Sequence, residues 1–522
     1  MSDRDAAKNS LPDNPWYSSM SVLFRGLWFP VLLLGVLPCG VRADRPNVLF
    51  IAVDDMKDWV NCLGGYEGTV HTPNIDRLAR RGMLFTNAHC VSPKCAPSRA
   101  ALLTGLRPST TGLYDNGHWW LPNLPDVVTL PTHFQHHGYR VVGAGKIFHH
   151  TAGNNPPNQW HDYRRLRFLE DPWFRGAKKN YPWSRHAPFP DGFPFSRVHG
   201  LGHENDWGSL PISDDGYDDE LTTEYALRFL SREQKQPFFL ACGLFRPHLP
   251  WYVPQRFFDM YPVDEIVLPP LPDDDLNDVP AAGVEFANDR RSDLLAIVDT
   301  GRHRHAVQAY LASITCTDER LGRVLDALDA SGHAQNTIIV LWSDHGWHLG
   351  EKQHWHKTTL WEEATRVPLI LTGPDIQSSV CNQPVSLLDL FPTLNDLADI
   401  ASISALDGVS LRPLLDSPDA EWSRPAVTEY RKGNVAVRSR RYRFIRYHDG
   451  GEELYDHKSD PYEWNNLVQS SDYEQVRQKL AAWIPDAWAE PAPKKNAFRF
   501  DHETFTWIHK QTGVVTRGGS AE

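Results

Sequence analysis

Asn47-Val-Leu-Phe-Ile-Ala-Val53-Asp54-Asp55 is an unbroken apolar run that stops at two aspartates. A run with no polar alternation is what a strand buried on both faces produces, and such strands belong to parallel sheets covered by helices. A second run of the same kind, Thr337-Ile-Ile-Val-Leu-Trp342, stops at Ser343-Asp344-His345-Gly346. A third, Pro368 to Leu371, is read as ending at Gly373. Polar groups are therefore expected at the carboxyl ends of strands, the edge at which open α/β sheets bind their ligands.

Helical patterns separate these runs. Between Ala306 and Leu328, Val307, Tyr310, Leu311, Ile314, Leu321, Val324, Leu325 and Leu328 recur at three- and four-residue spacing, the mark of an amphipathic helix. Strands alternating with helices predict an α/β domain over residues 44–424. Within it, residues 151–216 are rich in Trp, Pro, Gly and His without period and read as a long loop insertion. Trp160, Trp173, Trp183 and Trp207 lie there, either to stack on sugars or to pack the loops. From Pro425 the pattern changes to short alternating runs, Asn434 to Arg438, Tyr442 to Tyr447 and Glu453 to Asp456, followed by an amphipathic stretch from Tyr473 to Ile484. Residues 425–490 are thus expected to form a small antiparallel sheet with one helix, and residues 491–522 a tail.

The 522 residues carry a formal net charge of −12. That balance disfavours a broad basic face, so nucleic acid is excluded as the expected partner. Near the start, Arg25 precedes the apolar run Leu27 to Val36, and Val41-Arg-Ala43 offers small residues for cleavage. The pattern is that of a secretory signal within residues 1–43, read from Met20, and the run is short of the roughly 20 residues a bilayer span needs. The mature protein is expected to be exported, periplasmic or extracellular, without a stable membrane span. Cysteines stand at 39, 62, 90, 95, 242, 316 and 381. Their irregular spacing gives neither a zinc nor a redox motif.

Cys95-Ala-Pro-Ser-Arg99 runs on to Leu103-Thr-Gly105. Pro97 suits the first turn of a helix and Gly105 its end, which puts Cys95 at a helix N-terminus. Free N–H groups and the helix dipole there favour a sulfate or phosphate, and Arg99 adds a planar donor fork one turn along.

With Asp54-Asp55 upstream, Gly145-Lys-Ile-Phe-His149 next, and Asp344-His345-Gly346 downstream, this motif resembles the type I sulfatases over roughly Pro46 to Leu467. The runs Arg246-Pro-His-Leu-Pro250 and Asp344 to Glu351 look most like the iduronate-2-sulfatase subgroup. The resemblance implies an alkaline-phosphatase-like fold: a large mixed, mostly parallel sheet flanked by helices, with a smaller C-terminal domain. It also implies that a maturing enzyme oxidises Cys95 to formylglycine. Asp54, Asp55, Asp344, His345 and the oxidised Cys95 side chain would hold one divalent cation, calcium before magnesium, which the hard oxygen donors suit. Arg99 and Lys146 would neutralise sulfate oxygens where charge develops. His149 would act as base on the nucleophile, His248 would protonate the departing alcohol, and Lys357 would bind sulfate from the far side. His150 adjoins His149 and is a second candidate on position alone.

Two rival readings follow from the same residues. One is a phosphomonoester or phosphonate hydrolase of the same superfamily, although the histidine cluster a second metal would require is missing from the sequence. The other is a carbohydrate-binding protein in which Cys95 stays a thiol, against which every motif position holds a chemically competent residue. The expected substrate is a sulfated sugar or polysaccharide fragment.

Overall fold

The apolar runs form the centre of an eight-stranded sheet whose two faces are both covered. The computed structural model describes residues 45–166, 193–201, 205–209, 217–403 and 406–519. The expected export signal, Cys39, Trp173 and Trp183 lie outside the described residues. In chain order the strands are β1 (Asn47–Val53), β2 (Met83–Phe85), β3 (Arg140–Gly145), β4 (Asp162–Arg164), β5 (Phe238–Leu244), β6 (Thr337–Ser343), β7 (Leu369–Thr372) and β8 (Ser379–Cys381). Their spatial order is β8-β2-β7-β6-β1-β5-β3-β4. Every pairing is parallel except the two made by β7, which is antiparallel to β2 and β6.

Alternation along β1 divides the core in two. Leu49, Ile51 and Val53 join one cluster with the long helix α5, His303–Ala330. Val48, Phe50 and Ala52 join the other, with Ala100 to Leu103 of α2, Cys95–Thr104. Because side chains alternate with a period of two, burial on both sides demands apolar residues at every position.

Register then sets the site. Val53 pairs with Ser343 on one side and Leu244 on the other, and Gly145 pairs with Gly243. The residues that follow β1, β3, β5 and β6, including Asp54, Lys146, Phe245 and Asp344, therefore leave the sheet at one edge. The third apolar run departs from its expected direction. Leu369 pairs with Trp342 and Thr372 with Ile339, so Gly373 lies at the edge opposite the aspartates. An apolar run reports burial on two faces and carries no sign of strand direction.

Part of the expected loop insertion is sheet: Asp162–Arg164 pairs with Val142 to Ala144 as the edge strand, too short and polar for the apolar-run signal. Trp160 and Trp207 are buried, with Trp160 against Tyr163 and Trp207 against Trp251, so these two pack the loops. Further on, β9 (Ala426–Glu429), β10 (Val435–Arg438), β11 (Tyr442–Arg446) and β12 (Glu452–Asp456) form an antiparallel sheet. Helix α7 (Glu474–Ala481) buries Leu480 with Val427, Val437, Phe444 and Leu454 of that sheet. Residues 491–522, expected as a tail, hold a three-stranded antiparallel sheet. Its Trp507 is fully buried in the same cluster as Trp119 and α2. No helix among the described residues is long and apolar enough to cross a membrane.

Candidate active site

Helix α2 starts at Cys95 and ends at Gly105, which takes the left-handed conformation (φ 72°) and returns its N–H to Ala101 O. Its N-terminus faces the sheet edge: Ser98 Oγ donates to Asp344 O at 2.7 Å, and Ala96 N–H is taken by Asn116 Oδ1 at 2.9 Å. Cys95 is buried. Its sulfur lies 3.2 Å from Lys357 Nζ, 3.3 Å from His345 Nε2 and 3.9 Å from Asp55 Oδ1.

Arg99 ties together the loops that leave three strands. Its guanidinium donates to Asp344 Oδ2 at 2.7 Å, to Asp54 Oδ1 at 3.1 Å, and to the carbonyls of Lys146 and Ile147 at 2.6 and 3.0 Å. Lys146 donates to the other oxygen of Asp54. Lys357 donates to Asp55 Oδ1 at 2.5 Å. All of these side chains are buried, so each charge persists only because another offsets it.

Burial outweighs those cations at two of the carboxylates. It pushes Asp54 up to about 7 against the pull of Lys146, and it raises Asp55 against Lys357. At Asp344 the balance reverses: burial raises the carboxyl, but Arg99, His345 and Lys146 together hold it well below the usual range. Burial depresses His149 and His248, and the neighbouring cations add to it. Both imidazoles are therefore neutral. The His248 ring stands 5.9 Å from that of His150, with Nε2 3.7 Å from Asp55 Oδ2. The His149 ring lies tilted against that of His150, ring centroids 4.3 Å apart.

Ligand atoms of Asp55, Cys95, Asp344 and His345 all lie within 4.8 Å of one another, and Asp54, Asp55 and His248 form an overlapping group. Asp55 Oδ2 is buried without a hydrogen bond. A buried, unpaired carboxylate oxygen in a nest of hard donors is a fit for a divalent cation. The six cysteines among the described residues are unpaired.

The ten residues given roles from the sequence, and His150 beside them, thus lie around one edge of the sheet. Several partners were not legible there. Tyr310 and Asn116 act through hydrogen bonds that no motif marks. Lys495, from the C-terminal segment, reaches Thr151 Oγ1 at 2.6 Å beside His149.

A helix N-terminus, buried cations and clustered carboxylates at the carboxyl edge of a mostly parallel sheet define a hydrolase of anionic esters. Residues 46–400 match the family model "Sulfatase", and residues 350–488 match "N-sulphoglucosamine sulphohydrolase, C-terminal". The chain belongs to the sulfatase family and is a sulfuric ester hydrolase. It is 40% identical over 480 residues to a sulfatase of Formosa agariphila, covering 87% of this chain and 91% of the relative. It is 33% identical over 394 residues to human iduronate 2-sulfatase, covering 71% and 68%. A solved 2-O GAG sulfatase superposes with a TM-score of 0.62 at 25% identity, covering 84% of this chain and 91% of that one.

Proposed function

We propose that the protein removes sulfate from sulfated sugars, as polysaccharide fragments of the kind iduronate 2-sulfatase is named for, using Cys95 oxidised to formylglycine and one calcium ion. The observation that carries this reading is the position of Cys95 Sγ, 3.3 Å from His345 and 3.2 Å from Lys357 at the head of α2. A thiol so placed is enclosed by the donors a sulfate ester needs.

Asp54, Asp55, Asp344 and His345 would hold the cation, with the oxidised Cys95 side chain as a further ligand. Bound calcium would supply Lewis-acid charge to the sulfate and the nucleophile. Formylglycine supplies an oxygen nucleophile as its hydrate and a second hydroxyl through which sulfate can be released, a route that a thiol or a serine lacks. Lys357 and Lys146 supply fixed positive charge without reorganisation, because Asp54 and Asp55 already orient them. His248, whose Nδ1–H donates to Leu249 O at 2.5 Å, keeps the Nε2 of its neutral ring directed to the Asp55 side of the site as an acceptor. It therefore serves the leaving alcohol only after Nε2 has taken up a proton. His149 serves the nucleophile. Residues 44–424 act as the catalytic domain and residues 425–490 as its buttress. A formylglycine-generating enzyme is the maturation partner, and the matured protein works outside the cytoplasm.

Mass spectrometry of the tryptic peptide bearing Cys95, on protein from its own host, tests this directly. An aldehyde or its hydrate, together with sulfate release from a sulfated uronate, is the expected result. An unmodified thiol in protein that still releases sulfate would sink the nucleophile assignment. Rates on the sulfate and phosphate esters of one alcohol separate this reading from a phosphate or phosphonate hydrolase.

A further inference from the structure

His149 sits at the end of a hydrogen-bonded chain that begins at Lys495, 344 residues beyond Thr151. Lys495 Nζ donates to Thr151 Oγ1 at 2.6 Å. Asn154 Nδ2 donates to the same oxygen at 2.8 Å, and also to the backbone carbonyl of Thr151 at 2.9 Å. A carbonyl only accepts, so the second contact fixes which end of the Asn154 amide is nitrogen. An ammonium has three donors and no lone pair. The Thr151 hydroxyl has two lone pairs, and these two N–H groups fill both.

Its own proton has one remaining use. His149 Nδ1 lies 2.9 Å from Thr151 Oγ1, and with the hydroxyl's lone pairs taken, the hydroxyl donates and Nδ1 accepts. The backbone N–H of Thr151 points at the same nitrogen from 3.4 Å, a second donor that a protonated Nδ1 would oppose. Burial and the nearby Lys146, Lys495 and Arg99 keep the imidazole neutral, so it carries one proton. That proton is on Nε2, which has no protein partner among the described residues.

We propose that Lys495 and Asn154, acting through Thr151, lock His149 in the Nε2–H tautomer, so that it meets the reacting group as a hydrogen-bond donor and not as a base. The proposal rests on the reading of His149 as a residue of the reacting centre and reverses the direction of its proton. An Nε2–H imidazole stabilises an oxyanion, such as a sulfate oxygen or the ionised nucleophile, and has no lone pair there to take a proton. Lys495, Asn154 and Thr151 are positioning residues for this state. The C-terminal segment, through Lys495, is thereby part of the catalytic machinery.

Nitrogen-15 NMR of histidine-labelled protein reads the tautomer whether or not the protein is a sulfatase, with the His149 signals identified by their loss in His149→Gln. The expected pattern is an unprotonated, hydrogen-bonded Nδ1 and a protonated Nε2. The reverse pattern overturns the proposal. In Thr151→Val the two tautomers should mix and kcat should fall about tenfold with KM within twofold, short of the hundredfold or more that a lost acid or base costs. Thr151→Ser should restore both, because it keeps the hydroxyl. Wild-type kcat in a folded Thr151→Val protein, or failure of Thr151→Ser to restore it, overturns the proposal. If Thr151→Val does not fold, the NMR pattern of the unaltered protein decides alone. Absence of sulfate release by the unaltered protein would defeat the sulfatase reading and leave the tautomer result standing.

Discussion

The hydroxyl of Tyr310 donates to the carbonyl of Asp55 at 2.8 Å and accepts the N–H of Lys57 at 3.0 Å. It thereby pins the backbone on either side of the turn that leaves β1. Asp55 has φ 61°, a left-handed conformation that costs a non-glycine residue roughly 1 kcal/mol or more and persists only where the surroundings over-determine it. Tyr310, one helix away and fully buried, is a large part of that surrounding.

Replacing Tyr310 by Phe keeps the ring packed against Trp59 and Trp251 and removes both hydrogen bonds. Stability should fall by about 1 to 3 kcal/mol, since Asp55 O and Lys57 N–H lose their buried partner. The carboxylate of Asp55 should also lose its aim. We expect kcat/KM to fall about tenfold and the calcium needed for half-maximal activity to rise, by the size typical of lost outer-shell support. Calcium titration of activity reads this, and an unchanged midpoint would count against Tyr310 as the clamp.

Arg99 holds two carboxylates and two carbonyls with one planar group. Arg99→Lys keeps the charge, but a single ammonium cannot span Asp54 and Asp344 together. Arg99→Ala leaves both buried carboxylates short of a cation and should cost about 3 to 5 kcal/mol in urea denaturation. The lysine variant should fold more stably than the alanine one, yet lose nearly as much activity.

Half of this design can be read from the chain because it is local. The runs ending at Asp55 and Asp344 announce strands buried on both faces, and the residues after a parallel strand share one edge by topology alone. Cys95, Arg99, Lys146 and His149 sit in short motifs whose spacing carries their geometry. Strand direction is different: Leu369–Thr372 is as apolar as β1 and runs the other way, because burial has no polarity along the chain. The three-stranded sheet around Trp507 was hidden for a related reason. Its strands Phe498–Asp501 and Thr506–His509 are short and half polar, and the face they bury belongs to Trp119, far away in sequence. Lys495 is invisible in the same way, since the pair Lys494-Lys495 before a small sheet has no local sign that one of them meets a partner near His149.

Lys495 also gives the site a pH signature. Burial lowers its ammonium to about 8 from an ordinary value of 10.5, with Asp115 opposing. Between those two values the unfolded chain binds more protons than the native one, so this group makes stability rise with pH there, on the order of 1 kcal/mol per unit, and its contribution is flat below about 8, where both states are protonated. Lys495→Met should abolish that rise in denaturation curves measured across the window. Above pH 8 the neutral amine gains a lone pair that can take the Thr151 proton, so the Nδ1 signal of His149 should shift toward a mixed state in the unaltered protein and show no such step in Lys495→Met.

Variants at Trp507 and Lys495 separate what the C-terminal sheet does for folding from what the segment before it does for chemistry. Trp507 is fully buried, 6.1 Å from Trp119 and 4.9 Å from Phe500 between ring centroids. Trp507→Ala opens a cavity there and should cost about 3 to 5 kcal/mol. The same sheet is preceded by Lys495, whose N–H is bound to Gly117 O at 2.7 Å, an anchor that does not involve Trp507. At a temperature where the variant is still folded, Trp507→Ala should therefore keep kcat within about threefold, the scale of a small shift in a supporting contact. Lys495→Met should do the opposite, with little loss of melting temperature and a fall in kcat close to that of Thr151→Val. Removing residues 491–522 should combine the two losses and be worse in both readouts than either variant. If the truncated protein melts lower but turns over at the rate of the full chain, the segment is only a brace, and the positioning role of Lys495 fails with it.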